Sequence, residues 1–343
     1  MAKDLDLADS RKTLRGKPRL AFLFRTDVHT ADKNPDAWKG DYTAEIWSDL
    51  EQIGALAHKH KVDAVLDGGD YFHVKASTRN SHALVARSAE IQGYYPCPTW
   101  IVPGNHDMAY NNLDTLENQQ PLRVLFSSGV FQRLGTAVFE RDGLRVRVVG
   151  FPFSPTRTLD ELQALKKQPE DDCLIAVAHL LAGEKPPAHV EEFFSEPIFR
   201  YADLAYEGGP DIWCFGHWHK DQGVTLVDGK RFINPGAVSR GALVKENLKR
   251  TPQVALIEVT TEETIVGLVP LNVPPAKDVF NLERKERRDR EGEIIGQFAE
   301  RLHQEIVDKP PEDVGESIKQ LDFAPEVQRT ALDYLEQARA QRN

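Results

Sequence analysis

Short apolar runs, each stopping at a residue type able to hold a metal ion, constrain this chain more than anything else in it. Arg19 to Arg25 (RLAFLFR) ends just before Asp27-Val28-His29, and Val62 to Leu66 (VDAVL) ends before Gly68-Gly69-Asp70. Thr99 to Val102 (TWIV) runs into Pro103-Gly104-Asn105-His106-Asp107, Leu174 to Ala178 (LIAVA) into His179, and Asp211 to Phe215 (DIWCF) into Gly216-His217-Trp218-His219. Runs of this length, bounded by turn residues, read as buried strands. Helical spacing fills the gaps: Ile46, Leu50, Ile53 and Leu56 in Tyr42 to His60, and a second pattern over Thr78 to Gln92. The alternation predicts an α/β fold, in which ligands lie beyond the carboxyl ends of the strands. Five strand ends can then converge on one site.

The later chain reads differently. Val138 to Val149 and Val224 to Ile233 have the pattern of hairpins, the second turning at Asp228-Gly229. A last strand pair, Gln253 to Val259 and Thr264 to Leu271, ends near Pro274-Pro275. The expected organisation is a polar tail over 1–18, a core domain over 19–274 and a helical extension over 275–343. In the extension, Ile294, Ile295, Phe298, Leu302 and Ile306 form one stripe between Leu282 and Val307, with further helices at Val314 to Leu321 and from Pro325 to about Ala340. Such a stripe either folds back on the core or docks a partner.

Composition narrows the class. The formal net charge of −10 opposes tight stand-alone nucleic-acid binding, which rests on Lys and Arg neutralising phosphates, although two bound divalent ions would add about four positive charges locally. Cys97, Cys173 and Cys214 are far apart and form no C-x-x-C pair, so neither a disulfide framework nor a zinc ribbon is expected and a reducing cytoplasm fits. The opening MAKDLDLADSRKTLRGKP contains no apolar run of signal-peptide length, and no stretch approaches a membrane span. A soluble protein is expected.

The site residues can be argued by type. Asp27 and His29, two apart at a strand end, offer oxygen and nitrogen ligands suited to Mn, Fe or Zn. Asp70 follows two glycines that let the backbone turn sharply, which suits a carboxylate bridging two ions. Asn105 offers a neutral amide oxygen, His179 and the His217/His219 pair offer imidazoles, and Gly216 permits a tight approach. His106 would face substrate, stabilising charge or protonating the leaving oxygen. Asp107 either orients His106 or caps the following turn. His73 is either a surface residue or a substrate contact. Two divalent ions so held can clamp the attacking and leaving oxygens of an in-line displacement at phosphorus.

With those residues in view, the chain resembles the calcineurin-like metallophosphoesterases, whose motifs D-x-H, G-D, G-N-H-D/E, H and G-H-x-H occur in order between Asp27 and His219. Asn234-Pro235-Gly236-Ala237-Val238-Ser239-Arg240 is similar to the segment that follows G-H-x-H in many members. Within the superfamily, Gly69-Asp70-Tyr71-Phe72-His73 is most similar to the G-D-x-F-H of SbcD-type nucleases of DNA double-strand-break repair. The resemblance implies a sandwich of two mixed β-sheets flanked by helices. It implies one metal site of Asp27, His29, Asp70 and His219, and another of Asp70, Asn105, His179 and His217. His106 would stabilise the transition state, His73 would position the phosphate, and a metal-bridging hydroxide would attack a DNA phosphodiester. Mn2+ is the expected metal, with Fe, Zn or Mg as alternatives, and a coiled-coil ATPase the expected partner, docking through the C-terminal helices. Strands ending near Leu271 leave little room for the DNA-binding cap those nucleases carry. The alternatives are an enzyme of the same fold acting on a small phosphodiester, nucleotide or phosphoprotein, and a non-catalytic scaffold. Self-association through the Tyr42 and Thr78 helices is left open.

Overall fold

The computed structural model describes residues 18–35, 38–186, 196–244 and 247–283, and then 287, 290, 318–319, 325, 327–329 and 331–332. The strands are β1 (Leu20–Arg25), β2 (Ala64–Asp67), β3 (Thr99–Ile101), β4 (Phe131–Arg133), β5 (Thr136–Arg141), β6 (Leu144–Phe151), β7 (Cys173–His179), β8 (Leu181–Gly183), β9 (Ile198–Arg200), β10 (Ile212–Gly216), β11 (Gly223–Val227), β12 (Lys230–Asn234), β13 (Gln253–Val259) and β14 (Thr264–Pro270). One six-stranded sheet has the order β14-β13-β1-β2-β3-β4 and the other β11-β12-β10-β7-β6-β5. Both sheets are mixed: β1–β2–β3–β4 and β12–β10–β7–β6 run parallel, while β1–β13, β13–β14, β11–β12 and β5–β6 are antiparallel pairs.

The central strands read as unbroken apolar runs because both of their faces are covered. Phe22, Phe24 and Leu66 of the first sheet pack with Val146, Ile175, Val177 and Cys214 of the second, forming the core between the sheets. On the far face of the second sheet Ala176, Trp213, Phe215 and Phe232 pack against Leu162, Tyr201 and Leu204. Arg25 is the exception in an apolar run. Its buried guanidinium is 2.7 Å from Asp67 and bonds to Tyr95 and Gln92, so the charge is paired as burial requires.

Helix α1 (Tyr42–His60) matches its sequence pattern at both ends. Asp41 accepts from Ala44 N at the start, and Lys61 ends it in the left-handed conformation. The second expected helix is shorter than its pattern. A 3-10 turn at Ser77–Arg79 is followed by extended Asn80, and α2 runs from His82 to Gly93, capped by Ser81. The Ser81 hydroxyl accepts from Leu84 N and competes with continuation of a helix from Thr78.

Asp49 lies on the buried face of α1 with neither carboxyl oxygen hydrogen-bonded among the described residues. Burial and the Glu45 charge push its carboxyl up to about 8, against the pull of Arg240 and Arg250. The folded value lies above the unfolded one of about 3.9, so the native state binds the extra proton between those limits. The stabilisation is complete below about pH 4 and lost as pH rises toward 8, at up to about 1.4 kcal/mol per pH unit. Asp49→Asn should flatten that slope, making the variant more stable than the parent at pH 8 relative to pH 5. Denaturant unfolding at the two pH values checks this, and an unchanged slope would remove Asp49 from the account.

The chain divides into two units, Met1–Phe280 and Asn281–Asn343. Phe280 belongs to the first because its ring packs edge-on against Trp38 at 4.9 Å and bridges to it through the backbone. The expected helices at 282–307, 314–321 and 325–340 lie mostly outside the described residues; those described there are helical. No described helix is long and apolar enough to cross a membrane.

Candidate metal centre

Parallel pairing places the carboxyl ends of β1, β2 and β3 together on one sheet and those of β7 and β10 together on the other. Their loops are tied to each other by the backbone. Asp27 N donates to Gly69 O and His29 N to Asp70 O, both at 3.0 Å, while Val238 N donates to Thr26 O at 2.9 Å. The segment from Asn234 also braces G-H-x-H, since Asn234 Nδ2 donates to Trp218 O and Ala237 N to His219 O.

The candidate ligands sit on unusual backbone. Asp27, His29, Asp70 and His217 all have positive φ, at 54°, 51°, 56° and 83°. Strain of this kind in non-glycine residues persists only where surrounding structure holds it, and it clusters at functional sites. The glycines are needed for approach rather than for turning alone. A Cβ on Gly104 would come within 2.1 Å of Asp70 Oδ1, and one on Gly216 within 2.3 Å of Thr26 Oγ1.

Two groups of donor atoms result, and they share one residue. Ligand atoms of Asp27, His29, Asp70 and His219 lie within 4.8 Å of one another, and so do those of Asp70, His179 and His217. Asp70 Oδ2 is 3.8 Å from His29 Nε2 and 3.4 Å from His179 Nε2, so one carboxylate faces both groups. His29 Nε2 also lies 2.9 Å from His219 Nε2. Burial and the His219 charge hold the His29 imidazole well below its usual range, in the neutral form that ligates metals. Burial raises the carboxyls of Asp27 and Asp70, but nearby imidazoles outweigh it, His219 holding Asp27 down at about 2 and His179 holding Asp70 well below the usual range.

Asn105 completes the second group. The inward end of its amide is 3.1 Å from His179 Nε2, 3.2 Å from Asp70 Oδ2 and 3.1 Å from His217 Nδ1. With nitrogen inward it would donate to these neighbours. With oxygen inward, the orientation of a ligand, a cation must sit among them, either a proton on His179 or a metal ion. Burial lowers the His179 imidazole but the Asp70 charge raises it further, to about 9, so a proton serves where no metal does. His179 Nδ1 lies 2.6 Å from Gly68 O, which fixes the ring. The mixture of carboxylate, amide and imidazole donors, buried at Asp27, His29, Asp70 and His179 and open to solvent at His219, fits a pair of borderline-hard divalent ions.

His106 lies outside both groups. Its backbone N donates to Asp70 Oδ1 at 2.7 Å and its Nδ1 is 2.5 Å from His73 O, leaving Nε2 for a substrate. The His73 ring stacks over it with centroids 5.6 Å apart and 19° between planes. Nitrogens of His29, His73 and His106 form a third cluster within 4.8 Å, reaching from buried His29 to exposed His73. Burial and the charge of His106 lower the His73 imidazole.

Asp107 does neither of the things its position suggested. Its carboxylate does not orient the His106 side chain or cap the next turn; it accepts from Asp70 N, Tyr71 N, Phe72 N and Gly104 N at 2.8, 3.0, 3.3 and 2.9 Å. Burial and the Asp70 charge push this carboxyl up, and the backbone donors oppose that rise. Four donors leave no acceptor for a carboxyl proton, so the geometry fits the ionised form. The orienting contact to His106 comes from the His73 carbonyl instead.

Sequence reasoning missed Glu196. Its Oε1 lies 2.9 Å from His217 Nε2, which turns His217 Nδ1 toward the centre. A carboxylate behind a ligating imidazole fixes its tautomer and its ring orientation. No local pattern around Glu196 announces it.

Residues 20–221 match the family described as calcineurin-like phosphoesterase. The chain belongs to that family. The donor groups above suit the two-metal chemistry of the family, whose general activity is phosphoester hydrolysis. No curated protein matches the sequence. Solved structures of similar shape include a Staphylococcus aureus protein assigned as a 5′-nucleotidase, 17% identical, with a TM-score of 0.49 over 79% of this chain and 58% of that one. Purple acid phosphatase PPD1 from yellow lupin is 13% identical, with a TM-score of 0.46 over 74% and 51% of the two chains. Calcineurin-like phosphoesterase YfkN from Bacillus subtilis is 13% identical, with a TM-score of 0.45 over 76% and 94%. The chain spans little more than half the length of the first two, and likenesses at these scores bear on neither substrate nor site.

Proposed function

We propose that this phosphoesterase is a two-metal phosphodiesterase whose substrate is DNA, working as the nuclease subunit beside a coiled-coil ATPase. The observation that carries the reading is the sharing of Asp70 between two donor groups, with His106 beside both and in neither. Two divalent ions, with Mn2+ the expected pair, would act as Lewis acids on the phosphate and lower the pKa of water toward neutrality. Asp27, His29, Asp70 and His219 would hold one, and Asp70, Asn105, His179 and His217 the other. His106 Nε2 meets the departing oxygen as charge develops on it, and His73 at the rim positions the phosphate. DNA is favoured over a small diester by the G-D-x-F-H resemblance and by the place of His73, stacked on His106 at the exposed edge. The ATPase is assigned to the helical extension.

The purified chain with Mn2+ is expected to release nucleotides from end-labelled single- or double-stranded DNA, with faster release when the ATPase is present. Bis(4-nitrophenyl) phosphate and cyclic nucleotides serve as small-diester controls. Robust hydrolysis of those with no cutting of DNA, with or without the ATPase, would make this a small-diester enzyme.

A further inference from the structure

Beside the metal centre lies a cavity of about 580 Å³ whose lining includes Asp32, Lys33, Asn34, His73, Lys75 and Arg79. His73 is common to it and to the rim of the centre, its ring 5.4 Å from that of His29. The charges are unbalanced in a chain whose formal net charge is −10. Among the described lining residues, the carboxylate of Asp32 alone stands against Lys33, Lys75 and Arg79. Its two oxygens are taken up by Ser81, accepting from the backbone N at 2.7 Å and from the hydroxyl at 2.5 Å, where they hold the start of α2. Lys33 and Arg79 are exposed and form no ion pair among the described residues. A concave surface of one sign concentrates counter-charge.

Lys75 links the cavity to the centre. Its Nζ lies 3.2 Å from Asn111 Oδ1 and 3.1 Å from the outward end of the Asn105 amide. When the Asn105 oxygen faces inward as a ligand, that outward end is an NH2 group, and two donors then stand side by side. An anionic oxygen accepting from both relieves the conflict. Cation inside and anion outside are thus two halves of one arrangement.

We propose that this cavity is a second phosphate site, holding the phosphate next to the scissile one on a nucleic-acid strand, so that the enzyme prefers a diester flanked by a further phosphate. The proposal rests on the reading of the centre as a phosphodiesterase. It assigns Lys33 and Arg79 to specificity and Lys75 to the boundary between the two sites.

The test compares the thymidine dinucleotide with one internal phosphate against the same dinucleotide carrying an added 5′- or 3′-terminal phosphate. Each is measured as a substrate and as an inhibitor of bis(4-nitrophenyl) phosphate hydrolysis, with Mn2+. The parent protein should favour one of the terminally phosphorylated forms at least tenfold, in kcat/KM or in inhibition constant. The double variant Lys33→Gln/Arg79→Gln should lose that preference while hydrolysing the aryl diester within about twofold of the parent. No preference in the parent, or a preference that survives in the variant, overturns the second site. Inhibition that shows the preference without cleavage of any dinucleotide upholds the site and counts against DNA as the substrate, so the two readings fail separately.

Discussion

Replacing Asp70 by asparagine will strip the protein of metal and of activity together while leaving it folded. The side chain keeps its shape, and Oδ1 can still accept from His106 N, so the loop contact at 2.7 Å survives. What changes is the edge that faces His29 at 3.8 Å and His179 at 3.4 Å, where an amide NH2 would replace an anionic oxygen. Losing even an outer partner of a metal ligand costs about 10- to 100-fold in metal affinity, and losing a shared ligand should cost more in both binding and rate. On the proposed assignment both ions would depend on that oxygen, so metal analysis after desalting should find less than one ion per chain. A variant retaining two ions and normal turnover would show that Asp70 does not bridge.

The second large effect separates chemistry from metal binding. His106→Ala should keep the parent's metal content, because His106 is in neither of the two donor groups that share Asp70. Turnover should fall by about 10²- to 10⁴-fold, the usual contribution of a positioned acid or base. The size of the loss should depend on the leaving group. A 4-nitrophenolate departs without needing a proton, so the variant should be impaired less on an aryl diester than on a nucleotide diester, with KM moving little on either. Full activity on both would remove His106 from the mechanism, and an equal loss on both would assign it to charge stabilisation alone.

How far the sequence could be read follows from what each residue depends on. The strand ends were legible because a run such as Leu20–Arg25 announces its own burial and stops where the ligand begins. Helix α1 was legible because Ile46, Leu50, Ile53 and Leu56 fall at helical spacing over Tyr42 to His60, the bounds the structure shows. The helix expected from Thr78 was not, because the Asp32 carboxylate that anchors Ser81 comes from a distant loop. Asp107 was misread for a similar reason. Its sequence neighbour is His106, but besides the nearby Gly104 amide its hydrogen-bond partners are the amides of residues 70 to 72, brought near only by the pairing of β2 with β3. Glu196 and the basic cavity share that character. Their meaning lies in what they face, and a one-dimensional pattern carries no record of it.

The bracing by Asp107 has a bearing on metal choice. A carboxylate that fastens the Gly69-Asp70 loop to the Gly104 loop through four amides sets the spacing of Asp70 and Asn105 by the protein's own hydrogen bonds. A frame stiff in advance does not remould itself around one cation's preferred radius. Which metal works here is then decided by donor softness and by what the surroundings supply, and exchange of one ion for another should proceed without refolding of the loops.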